Sequence, residues 1–67
     1  MMKLALNGKE EEVAAGTTVA ALVKERKLNA ACIVVEYNHT ILQQPEWDGV
    51  VLKPHDTLEI VSFVGGG

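Results

Sequence analysis

The residues best placed to do chemistry are the last four. Val64-Gly65-Gly66-Gly67 follow directly on an apolar, strand-like run from Thr57 to Phe63. Glycine next to a core strand adds no packing and loses the most entropy on ordering. What it offers is access. A backbone without Cβ atoms threads a narrow channel and presents the carboxylate of Gly67 to an activating enzyme. Gly66 keeps that approach slim and Gly65 adds reach. Fully extended, four residues span at most about 13–14 Å. The competing reading is an inert, flexible end.

Other chemistry-bearing residues point to bland roles. Cys32 is the single cysteine. It could in principle carry a persulfide or an acyl-disulfide, but a strand cysteine more often behaves as a small buried hydrophobe. His39 and His55 fall in turn sequences, with no cysteine or carboxylate set around them at metal-ligand spacing. Trp47, the single tryptophan, reads as a staple that holds its loop to the body.

The last strand adds a docking surface. Side chains alternate along a strand, so Leu58 and Ile60 share one face while Glu59, Val61 and Phe63 share the other. With Leu58 and Ile60 turned inward, Val61 and Phe63 stand outside beside Val64 and the tail. Exposed apolar residues next to a reactive terminus make a partner-binding patch. Scattered surface apolar residues are the ordinary alternative.

Bulk properties narrow the function class. With 67 residues and 48% hydrophobic content, the chain makes one domain with one small aliphatic core. The net charge is −3. Its one basic group, Lys24, Arg26 and Lys27, suits a solvated helix end. Nucleic acid needs a denser cluster of cations. An unpaired cysteine fits a reducing cytoplasm. There is no signal-peptide pattern, and no apolar run approaches the roughly 20 residues of a membrane span. The expectation is a soluble, cytoplasmic protein.

The elements that must hold the tail can be read in order. Met2 to Leu6 alternates, Asn7-Gly8 makes a two-residue hairpin turn, and Lys9 to Val13 returns. The Glu10-Glu11-Glu12 run marks an exposed edge strand; an acidic docking patch is the minor alternative. Thr17-Thr18 caps a helix from Val19 to about Lys27, with Val19, Leu22 and Val23 as its apolar stripe. Asn29 is placed to end it in a left-handed conformation. Cys32 to Tyr37 is an interior strand, and Asn38-His39 turns into a short strand, Thr40 to Leu42. Gln43 to Gly49 is a loop with at most a turn of helix. Val50 to Leu52 packs back on the body, and Pro54-His55-Asp56 leads into the last strand. One helix must cover one face of a mixed sheet of four to five strands, with the last strand parallel to the first. This is the α+β, ubiquitin-like β-grasp arrangement, over residues 1–63, with 64–67 as a flexible tail.

Taken together, the pieces resemble the ThiS family, the sulfur carriers of thiamine thiazole biosynthesis. The resemblance rests on Asn7-Gly8, on Gly16-Thr17-Thr18-Val19 before Leu22, and on Asn38 before Ile41-Leu42. It continues through Pro45-Glu46-Trp47, Asp56 before Leu58-Glu59-Ile60, and Phe63-Val64-Gly65-Gly66-Gly67. Two places depart from the family pattern: Glu46 stands where a basic residue often follows the proline, and Pro54-His55-Asp56 replaces an Asp-Gly-Asp-like turn. If that turn needs a positive φ, His55 must bear it, which histidine tolerates.

The resemblance implies a carrier that is not itself an enzyme and binds no cofactor. A ThiF-like adenylyltransferase uses MgATP to activate the carboxylate of Gly67. A cysteine-desulfurase-type donor supplies the sulfur of a thiocarboxylate, and a ThiG-like thiazole synthase takes it. Alternatives are a β-grasp carrier for molybdopterin or tRNA thiolation, a ubiquitin-like protein modifier, and a binding module with an inert tail.

Overall fold

The computed structural model describes residues 1–63. Strand β1 (Met2–Leu6) and strand β2 (Lys9–Val13) form the first hairpin. Helix α1 (Val19–Glu25) follows, then a 3-10 turn (Ala30–Cys32), β3 (Ile33–Tyr37) and β4 (Thr40–Leu42). A longer 3-10 segment (Gln44–Gly49) leads to β5 (Thr57–Ser62). The five strands lie in the order β2-β1-β5-β3-β4. β5 is parallel to β1 and antiparallel to β3, as expected of the β-grasp arrangement.

Each turn carries the residue that its geometry demands. Asn7 and Gly8 have φ of 52° and 81°, and Asn38 and His39 have 47° and 72°. Two successive positive φ values make the hairpin turn that matches the right-handed strand twist. His55 bears the positive φ of the third turn, at 70°.

The helix starts where its cap predicts: Thr18 Oγ1 accepts from Ala21 N–H at 3.1 Å. Val19, Leu22 and Val23 are buried in one core with Leu58 and Val35. The helix N-terminus is also tied to the Val50–Leu52 segment. Val19 N–H donates to Val50 C=O at 3.0 Å, and Leu52 N–H donates to Thr17 C=O at 2.8 Å.

Three local readings need correction. The helix stops two residues early, and Lys27, not Asn29, takes the left-handed conformation, with φ of 58°. Leu28 N–H reaches Val23 C=O at 3.1 Å, which folds Leu28 back onto the core. The pull of Leu28 fixes the helix end, so Asn29 is free to cap the next turn by accepting from Ala31 N–H at 3.1 Å. Cys32 belongs to that turn, half-buried, and not to the interior strand. Arg26 is not simply solvated: its guanidinium pairs with Glu11 of the edge strand, because Glu11 shares the inward face of β2 with buried Val13.

Gln43 to Gly49 is also more regular than a loop with one turn. Glu46, where the family often carries a basic residue, reaches back to accept from Gln43 N–H at 2.6 Å and closes the start of the 3-10 segment. Trp47 is 4% exposed and donates its indole N–H to Leu42 C=O at 3.4 Å, so it staples the segment to β4.

Candidate functional site

β5 is the element that aims the chain's end, and two asparagines hold it. Asn7 N–H donates to Leu58 C=O at 2.8 Å, while Asn7 Oδ1 accepts from Ile60 N–H at 2.7 Å. On the other side, Asn38 N–H donates to Thr57 C=O at 2.8 Å and Asn38 Oδ1 accepts from Thr57 N–H at 2.8 Å. Both hairpin turns therefore grip the strand through backbone and side chain. Left-handed φ values expose those groups, and asparagine tolerates that region while offering an acceptor.

Asp56 anchors the start of β5. It is 7% exposed, and burial pushes its carboxyl upward. Hydrogen bonds from Tyr37 O–H at 2.7 Å, Lys53 N–H at 2.7 Å and Asn38 Nδ2 at 3.2 Å outweigh that burial. They hold the carboxyl below its ordinary range. Tyr37 responds in the opposite sense: its bond to Asp56, then burial, then the adjacent charge push its phenol up to about 12. A hydrogen-bonded buried carboxylate is a fixed acceptor and no proton carrier here. Asp56 is structural.

Val61 and Phe63 point away from the core, 54% and 56% exposed. The register brings two further apolar side chains to them. Val34 lies opposite Val61, and Ile41, 60% exposed, lies on the same outer face of β4. The carboxylates of Glu36 and Glu59, opposite one another, border this patch. Val34 and Ile41 were not among the sequence candidates. The signal available for Val34 was that β3 is apolar on both faces; the pairing that unites the four residues is long-range.

Beyond Phe63, the sequence candidates Val64, Gly65, Gly66 and Gly67 lie outside the described residues. Phe63 N–H donates to Cys32 C=O at 2.7 Å. The Cys32 thiol accepts from Asn29 Nδ2 at 3.4 Å. His39 and His55 are exposed in their turns. Among the described residues no group of three metal-ligating side chains comes together, and no helix is long and apolar enough to cross a membrane.

The profile of the ThiS family matches residues 3–67. The chain belongs to the ThiS family. Relatives of this ThiS-family chain include the sulfur carrier protein ThiS of Bacillus subtilis, 37% identical over 96% of this chain and 98% of that protein. A thiazole synthase of Paramagnetospirillum magneticum is 39% identical over 98% of this chain, which spans only 20% of that protein's length. Among solved structures, the thiamine biosynthesis protein ThiS of Geobacter metallireducens superposes with a TM-score of 0.84. It is 33% identical, and the match covers 98% of this chain and 100% of that one. The ubiquitin-like β-grasp fold is thus shared with the ThiS family.

Proposed function

We propose that this ThiS-family chain is a sulfur carrier for thiamine biosynthesis, a recycled co-substrate and not an enzyme. The observation that carries the reading is the match of the ThiS profile through to Gly67. The thiamine biosynthesis protein ThiS of Geobacter metallireducens supports the thiamine branch over other thiolation pathways.

The chemistry follows from a carboxylate being a poor electrophile. An oxygen of the Gly67 carboxylate attacks the α-phosphorus of MgATP on a ThiF-like adenylyltransferase, and pyrophosphate leaves. The terminal sulfur of a persulfide, supplied by a cysteine-desulfurase-type donor, attacks the acyl carbon and displaces AMP. A thiol then cleaves the resulting acyl-disulfide, leaving a thiocarboxylate on Gly67 and a new disulfide on the donor side. A ThiG-like thiazole synthase takes the sulfur, and hydrolysis or exchange returns the carboxylate. Similarity to thiazole synthases supports that last partner. The carrier's own part is presentation. β5 aims the tail, and Val61, Phe63, Val34 and Ile41 give the partner an apolar surface to grip.

Intact-mass spectrometry after incubation with ATP, adenylyltransferase and sulfur donor tests the reading. One oxygen replaced by sulfur is expected, and fragmentation must place it on Gly67 because oxidation of Met1, Met2 or Cys32 changes the mass almost equally. Alkylation should trap the group. An unchanged Gly67 with a competent enzyme set would refute the carrier reading.

A further inference from the structure

β5 outruns its neighbour on one side. Its pairing with β1 covers only Thr57 and Leu58, and β1 then turns away at Asn7-Gly8. On the β3 side the pairing continues to Ser62, and Phe63 N–H still reaches Cys32 C=O. Backbone groups alternate along a strand. Thr57 and Phe63 bond towards β3, whereas Leu58 C=O and Ile60 N–H face Asn7. The Ile60 C=O and both backbone groups of Ser62 therefore face the space past the β1–β2 turn. Ser62 is exposed although its side chain falls on the helix side of the sheet.

We infer that this open edge of β5 takes up an extended segment of the thiazole synthase as an added strand, an inference that rests on the carrier reading above. Three features fit an extended peptide here, and the similarity to thiazole synthases points to that enzyme as its source. These groups have no partner among the described residues, and they alternate as acceptor, donor and acceptor, which matches a peptide backbone. Val61 and Phe63 flank the edge on the outer face and offer apolar cross-strand partners to the incoming segment. The strand also leads straight to the four-residue tail, so pairing here fixes the line along which Gly67 is delivered. Asn7 closes the other end by occupying Ile60 N–H, so an added strand can begin only past the turn.

The 67-residue chain is short enough for chemical synthesis with the Val61–Ser62 amide replaced by an ester, which deletes the Ser62 N–H and keeps every side chain. The control replaces the Glu11–Glu12 amide. In the β1–β2 register the Glu12 N–H also faces an open edge, and each ester weakens one carbonyl that bonds within the sheet. Titration against the cognate thiazole synthase should show affinity reduced about 3- to 10-fold by the Ser62 ester, the effect of one hydrogen bond. The Glu12 ester and Ser62→Ala should bind like the native chain, and the two esters should share the same small loss of melting temperature. Native affinity in the Ser62 ester would overturn strand addition and leave the carrier reading standing. A native chain that accepts no sulfur on Gly67 would refute the carrier reading itself. A free carrier that sediments as a dimer, made monomeric by the Ser62 ester, would assign the edge to a second copy instead.

Discussion

Asp56 concentrates more of the structure than any other single polar residue. Three donors converge on its carboxylate, from Tyr37, Asn38 and Lys53. Asp56→Ala strands all three and should cost about 3 kcal/mol. A domain of this size holds only about 3–10 kcal/mol in total, so urea denaturation should show about a third or more of the stability gone. The pH dependence has two signs. The carboxyl is lower in the fold than its ordinary value near 4. Its contribution is therefore full above about pH 4 and is lost as pH falls through the folded value. Tyr37 is raised to about 12, so its contribution is full below about pH 10 and is lost as pH rises from there through the folded value. Melting temperature against pH should fall off at both extremes, and Asp56→Asn should flatten the acid limb. Lys27 offers the converse experiment. It holds a φ of 58°, a region that costs a residue with Cβ about 1 kcal/mol. Lys27→Gly should raise the melting temperature by about 4–8 °C per kcal/mol gained, and calorimetry reads it.

At the scale of elements, the segment from Gln43 to Leu52 shows how a stretch with little strand or helix pattern becomes ordered. Trp47 fills the space between helix and sheet, and Glu46 closes the segment's first turn. Trp47→Ala should cost about 3–5 kcal/mol, enough to unfold much of the population at room temperature. Trp47→Phe loses the bond to Leu42 C=O and part of the ring volume, so about 2 kcal/mol is expected in urea denaturation, less than for alanine. The sequence made the staple legible because a lone tryptophan near proline and Asp-Gly has few other uses. It did not make the six-residue 3-10 segment legible, since that helix has no strong periodic signature of its own. The helix end was misplaced for a related reason. Asn29 looks like the better left-handed residue by propensity, but burial of Leu28 outweighs it.

Among the described residues, the sheet as a whole has one face committed to the helix and the other uncovered beside Val61 and Phe63. Phe63→Ala should weaken the carrier's binding to a partner enzyme about tenfold or more, as loss of an apolar anchor does. Its melting temperature should stay near that of the native chain, because the ring is 56% exposed. A large drop in melting temperature would place Phe63 in the core and remove it from the docking surface.

The sequence by itself determined the element order, the two asparagine turns, the parallel pairing of first and last strands, and the glycine tail as the candidate reactive end. These are legible because alternation, helical spacing and tolerance of positive φ are properties of neighbouring residues. Only the tertiary structure decided that Val34 and Ile41 join Val61 and Phe63, that Arg26 pairs with Glu11, and that Asp56 gathers three donors. Each depends on strand register, and residues far apart in the chain meet only once the whole core has chosen its packing.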